Sequence, residues 1–267
     1  MILALDIGNT NIVIGYLASE HDIPFVERLS TDRKKTAAEY AISIKTLLEL
    51  SGLPMDEVEG AIISSVVPPI TAMVVEAIRK VTGLQALVVG PGVKNGLRIK
   101  MDNPAQLGSD LVVDAVAASA AYPGPLIVVD MGTATTVSVL DEEKSYIGGM
   151  IIPGVRGSLD ALVSRAAQLS NISIEAPRRL IGKNTVECMQ SGIVYGSAAC
   201  IDGLIDRIEA QLGRKATVIA TGGLAGVVVP HCRHEVIVDD ALLLKGLFLI
   251  YQRNKEGRLR REVHAGR

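Results

Sequence analysis

Two short apolar runs, each closed by the same kind of turn, constrain this chain more than any other feature. Ile2-Leu3-Ala4-Leu5 runs into Asp6-Ile7-Gly8-Asn9-Thr10-Asn11, and Leu126-Ile127-Val128-Val129 runs into Asp130-Met131-Gly132-Thr133-Ala134-Thr135. Four apolar residues in a row predict a strand buried on both faces, because neither face alternates with polar groups. Glycine two residues past each aspartate permits a tight turn with bare backbone. Small hydroxyl and amide residues follow, so backbone N–H groups and hydroxyls are available to phosphate oxygens, and the carboxylate to a metal ion. One such hairpin alone reads as an ordinary β-turn. Here both open the same three-strand pattern. Residues 12–17 and 24–29 flank a polar turn after the first, and residues 136–140 and 146–153 flank another after the second. The repetition implies a duplicated domain with a nucleotide between its halves.

A chain of 267 residues suits two lobes of roughly 120 residues each. Hydrophobic residues at 48% can fill two cores, while aromatics at 3% and the absence of tryptophan make those cores aliphatic. A net charge of −2 offers no basic surface for nucleic acid. Cys188, Cys200 and Cys232 are too scattered for a CxxC zinc site and odd in number, which favours reduced thiols over a disulfide framework. Asp6 interrupts the opening apolar stretch too early for a signal peptide, and Lys245 breaks the apolar residues 241–251, which fall far short of a membrane span. A soluble, cytoplasmic protein is expected, with neither membrane nor nucleic acid as partner.

Between the two turns, residues 36–50 have helical spacing and stop before Gly52 and Pro54. A strand is expected over 60–67, halted by Pro68-Pro69, then a helix over 70–81 and a strand over 86–89. The glycine-rich residues 90–96 lack the GxxxxGK[ST] spacing of a P-loop and read as a connector. After Asn103-Pro104, the stretch Gly108-Ser109-Asp110 precedes an alanine-rich helix over 111–122, and Pro123-Gly124-Pro125 punctuates the chain. The second half continues with helices over 158–168 and 186–212, the latter holding Gly192, Gly196 and Gly203, which implies close packing on a neighbour or a kink. A strand over 216–220 ends in Thr221-Gly222-Gly223, whose bare backbone suits a purine and ribose. A last helix over 241–253 leads to a basic tail with Lys255, Arg258, Arg260 and Arg261, expected to lack structure. The expected divisions are lobes over 1–122 and 123–254 and a tail over 255–267.

As an ordered group these stretches are specific. Leu5 to Asn11, Ile63-Ser64-Ser65-Val66-Val67-Pro68-Pro69, Asn103-Pro104 with Leu107-Gly108-Ser109-Asp110, Asp130 to Thr135, Gly148-Gly149 with Ile152-Pro153-Gly154, and Thr221-Gly222-Gly223 follow one another along nearly the whole chain. The set resembles the superfamily shared by acetate and sugar kinases, actin and the heat-shock chaperones, and within it the type III pantothenate kinases. That resemblance implies an α/β, duplicated ribonuclease H-like (actin-like ATPase) fold, two lobes each with a mixed five-stranded sheet flanked by helices. It implies an ATP-dependent kinase that phosphorylates the primary hydroxyl of pantothenate, the first step of coenzyme A biosynthesis.

The resemblance also assigns roles. Asp6 would hold Mg²⁺ directly or through water, and Ile7, Gly8, Asn9, Thr10, Asn11, Ile12 and Val13 would join it around ATP. Thr133 would touch ATP, and Gly222 and Gly223 the adenosine. Asp130 would bind a monovalent cation, K⁺ or NH₄⁺. Asp110 would be the general base that accepts the hydroxyl proton, a role worth roughly 10² to 10⁴ in rate; from its residues alone it reads as a helix N-cap. Pantothenate would meet Gly108, Ser109, Asp110, Leu111 and Met101, and also Thr185 across the boundary of a homodimer. Two positions depart from the family pattern. Its usual G-A-D-R is Gly108-Ser109-Asp110-Leu111, and a tyrosine before the Asn-Pro is Met101. Leu111 donates no hydrogen bond and Met101 is a weak acceptor; Arg98, Lys100, Arg156 or Arg165 are candidates to supply the missing charge. Rival readings are a non-catalytic, transcription-linked regulatory relative, a kinase for another small alcohol, and an actin-like filament protein, for which the chain is short.

Overall fold

The computed structural model describes residues 1–166 and 168–265, with side chains through Lys255. The chain forms two compact units, the first from Met1–Leu97, Asn103–Ala117 and the segment from Leu242 on, the second from Arg98–Asp102 and Ala118–Ala241.

In the first unit, β1 (Ile2–Ile7), β2 (Asn11–Leu17) and β3 (Phe25–Ser30) meander antiparallel, followed by α1 (Ala37–Leu50), β4 (Gly60–Ser65), α2 (Pro68–Thr82) and β5 (Leu87–Val88). The sheet order is β3-β2-β1-β4-β5, with β4 and β5 parallel to β1. The continuous apolar run makes β1 central, its first four residues fully buried. Thr36 and Glu39 close a capping box that starts α1. The prolines that end β4 also begin α2, where their fixed φ and missing N–H do no harm. The core joins Leu3, Leu5, Ile7 and Ile14 of the sheet to Tyr40, Ile44 and Leu48 of α1 and Ile70, Val74 and Ile78 of α2. Helix α3 (Ser109–Ala121) starts in this unit.

The second unit holds β6 (Leu126–Met131), β7 (Ala134–Leu140), β8 (Tyr146–Pro153), α4 (Val155–Arg165), α5 (Thr185–Leu212), β9 (Thr217–Thr221), α6 (Ala225–Val228) and β10 (Ile237–Val238). Its order, β10-β9-β6-β7-β8, reproduces the first sheet, a meander on one side of the central strand and parallel strands on the other. The two central strands share one burial pattern, apolar and buried except at the aspartate. The duplicated fold expected from the repeated turns is therefore present. Residues 98–102 add to the outer edge at β8, where Lys100 N–H donates to the Tyr146 carbonyl at 2.8 Å and Tyr146 N–H to the Arg98 carbonyl at 2.8 Å.

Several expected boundaries shift. Helix α3 begins at Ser109 rather than Leu111, so Asp110 lies in its first turn and is not an N-cap. Helix α4 spans Val155–Arg165 instead of 158–168, and the two-residue β10 had no local signal. The last helix, α7 (Leu242–Ala265), packs on β1 and β4, whereas the boundary at 123–254 had put it with the second lobe. It runs past Arg253, and the side chains of the basic tail beyond Lys255 lie outside the described residues. Among the described residues no helix is long and apolar enough to cross a membrane.

Candidate active site

In the first unit, strand pairing and a set of serine hydrogen bonds link the turn that holds Asp6 to the start of α3. Asp6, half-buried near the end of β1, stands in register with Ser64 of β4. Ser64 is fully buried, and its hydroxyl lies 3.1 Å from that of Ser109. The Ser109 hydroxyl also donates to the Ser65 carbonyl at 3.0 Å and accepts from the Ser65 N–H at 3.1 Å. This clamp fixes the first turn of α3 to the end of β4, one residue before Asp110. The Asp110 carboxylate folds back over Gly108, where any side chain would collide with it, and accepts the Leu111 N–H at 2.9 Å. Burial pushes the Asp110 carboxyl above the ordinary carboxylate range; the backbone N–H groups of Leu111 and Asp110 pull the other way and lose.

The β1–β2 turn is tight, with Gly8 N–H donating to the Asn11 carbonyl at 3.0 Å. Thr31 buttresses it, its N–H on the Thr10 carbonyl at 2.9 Å and its hydroxyl on the Gly8 carbonyl at 2.7 Å. Asn9, Thr10 and Asn11 are exposed, as phosphate ligands require. Ile7 and Ile12 have side chains in the hydrophobic core, so only their backbone is available to a ligand, and Val13 is half-buried.

The second unit repeats the arrangement. Asp130 is half-buried near the end of β6, in register with Thr221 of β9 as Asp6 is with Ser64. Gly222 follows at φ +91, its missing side chain leaving room for the Asp130 carboxylate and, at 2.7 Å from an ideal Cβ, for the Met131 backbone. Gly223 is exposed beside it, and the Ala225 N–H returns to the Gly222 carbonyl at 3.1 Å to open α6. Gly154, which caps α4, abuts the carbonyls of Gly132 and Thr133. Asp130, Thr133, Gly154 and the Gly222-Gly223 shelf thus converge.

Met101 is half-buried in the segment joined to β8, and Thr185 is the exposed first residue of α5, whose N-cap Asn184 accepts the Glu187 N–H at 2.9 Å. Of the four basic candidates, Lys100 is engaged by Asp141 at 2.6 Å and Arg98 by Glu143 at 3.5 Å, while Arg156 and Arg165 are exposed on α4. A 380 Å³ cavity in the same unit is lined by Met131, Ile152, Val155, Gly196, Cys200 and neighbours with no charged side chain, which makes it unsuited to a triphosphate. Gly192 and Gly196 face this open space rather than a close neighbour. Sequence reasoning gave Ser64 and Ser65 no role; two hydroxyls closing an apolar run were the available signal.

The type III pantothenate kinase family profile matches residues 2–207. A type III pantothenate kinase of Moorella thermoacetica is 47% identical over 254 residues, covering 95% of this chain and 100% of that protein. One from an Exiguobacterium species is 46% identical over 256 residues, covering 96% and 100%. Among solved structures, the activator of 2-hydroxyisocaproyl-CoA dehydratase from Clostridium difficile, with bound ADPNP, aligns at TM-score 0.57 and 16% identity over 98% of this chain and 97% of that one, a likeness of fold alone. With matches that span the whole ordered set of turns, this chain belongs to the type III pantothenate kinase family.

Proposed function

We propose that this protein transfers the γ-phosphoryl group of ATP to the primary hydroxyl of pantothenate, with Asp110 as general base. One observation carries the reading: the Ser109 clamp, which holds Asp110 beside Ser64, the register neighbour of Asp6. A carboxylate near the end of β1 and a carboxylate on the helix turn tied to the end of β4 support this reading. Phosphoryl transfer needs little covalent help; positioning and charge neutralisation supply most of the rate. The N–H groups of residues 8–11 and the Thr10 hydroxyl orient the phosphates, Gly222 and Gly223 take the adenosine, Thr133 contacts ATP, and Asp110 accepts the proton as the hydroxyl oxygen attacks.

The donor chemistry fits both expected cations. Asp6 offers one half-buried carboxylate, which suits Mg²⁺ that keeps waters and phosphate oxygens. Asp130 with the nearby carbonyls of Gly132 and Thr133 is an all-oxygen set suited to K⁺ or NH₄⁺. Bound cations would neutralise phosphate charge. Met101, Gly108, Ser109, Leu111 and Thr185 contact pantothenate in this reading, Thr185 from the second copy of a homodimer. The exposed Leu180, Ile181 and Val186 beside the start of α5 favour such a partner. The three free cysteines agree with a cytoplasmic setting.

A coupled ADP-release assay tests the reading. ADP should appear only when ATP and pantothenate are both present, and K⁺ should raise the rate. Nucleotide binding without pantothenate-dependent turnover would instead favour the regulatory relative. Because Leu111 and Met101 offer so little to a carboxylic acid, a panel of small alcohols belongs in the same assay; a better substrate there would reassign the acceptor.

A further inference from the structure

The segment between β3 and α1 carries a cation to the phosphate turn on an unusually well-fixed backbone. Thr31 ties it to Gly8 and Thr10. One residue on, the hydroxyl of the fully buried Tyr40 accepts the Asp32 N–H at 3.0 Å and donates to the Asp32 carbonyl at 2.8 Å. Asp32 Oδ1 then accepts the Lys34 N–H at 2.9 Å, and Thr36 caps α1. Both ends of this short loop are therefore anchored, one to the turn and one to the core. The loop presents three cations in a row. Lys35 is drawn over the ring of Tyr40, 5.6 Å from its centre. Arg33 points to the turn, its guanidinium 3.4 Å from Asn9 Oδ1. That is a long bond to a neutral amide oxygen, a weak partner for an exposed guanidinium.

We propose that Arg33 is a phosphate ligand, leaving Asn9 to take the β- or γ-phosphate of ATP in a two-pronged contact. The planar fork matches two phosphate oxygens, and the anchored backbone lowers the ordering cost of presenting it. The inference rests on ATP occupying residues 8–11, as proposed above. It adds a cation to a turn whose other ligands are neutral N–H and hydroxyl groups.

The test separates polyphosphate from nucleoside. Direct calorimetric binding of inorganic tripolyphosphate and of adenosine is measured for the wild type, Arg33→Lys and Arg33→Ala, alongside KM for ATP and for pantothenate. Arg33→Ala should weaken tripolyphosphate and raise KM for ATP by about tenfold or more, the scale of one lost charge-assisted hydrogen bond. Adenosine affinity and KM for pantothenate should stay within about twofold, and Arg33→Lys should fall between. Unchanged tripolyphosphate binding in Arg33→Ala, or an equal loss for adenosine, overturns the proposal. A wild type that binds tripolyphosphate yet turns over no pantothenate would sink the proposed function alone, because the binding constants still decide Arg33.

Discussion

At the scale of single residues, Asp110 sits between opposed influences. A place in the first turn of α3 favours its charged form through the helix dipole and the Leu111 N–H, while burial favours the neutral form and prevails. A base must be ionised to work, so kcat/KM should rise with pH through an apparent pKa above the ordinary carboxylate range. Asp110→Asn should abolish that limb and lower kcat by roughly 10² to 10⁴. The linkage sign separates this from a folding defect. A folded-state pKa above the unfolded one means stability present at low pH and lost as pH rises through the folded value. At neutral pH the asparagine variant should therefore melt no lower than the wild type. Gly222 makes a second case, because a side chain there meets both a left-handed φ and the Asp130 carboxylate. Gly222→Ala should cost about 1–3 kcal/mol in thermal unfolding and raise KM for ATP. The aspartates and glycines of the turns were legible because their chemistry is local. The contact between Ser64 and Ser109 was not, because a bond across 45 positions of sequence leaves no local mark.

At the scale of elements, the strands that were easiest to read are those whose environment is uniform. β1 and β6 are apolar and buried except at Asp6 and Asp130, because both faces are covered. β10 escaped notice because it exists only through parallel pairing of Ile237 and Val238 with β9. Helix α5 was visible as a helix but its partner was not, since spacing says nothing of what covers a face. One of its attachments has a measurable consequence. The almost fully buried Asp202 accepts the Arg233 N–H at 2.9 Å and the His234 N–H at 3.1 Å, tying α5 to the loop before β10. Burial alone would raise its pKa, but these N–H groups and the Arg233 guanidinium outweigh it and hold the carboxyl below its usual range. Its stabilisation is therefore present above the unfolded carboxylate pKa and lost as pH falls through the depressed folded value. Asp202→Ala should destabilise by roughly 1–3 kcal/mol at neutral pH, since it removes the buried acceptor of two backbone N–H groups. The gap to wild type in melting temperature should narrow in acid. A constant gap across that range would mean the carboxylate charge is not what holds the loop.

At the scale of the whole molecule, duplication was readable and its closure was not. Two turns of one chemistry announced two copies of one sheet, and the connectivity is the same in both. The apolar stripe of α7, however, carries no record of which sheet it covers, and its nearness in sequence to β9 suggested the second. It returns to the first unit, where Leu242, Leu247 and Ile250 are fully buried and Leu244 and Phe248 nearly so. Burying each such side chain contributes about 1.5–3 kcal/mol, so the five together are of the same size as the about 5–15 kcal/mol that holds a typical domain folded. A chain ending at Ala241 should consequently lose slow amide exchange in β1 and β4, strands at the opposite end of the sequence from the cut. Protection in β6 and β9, far nearer the cut, should survive. Hydrogen exchange read strand by strand distinguishes the two assignments, because a helix that belonged to the second lobe would produce the reverse pattern.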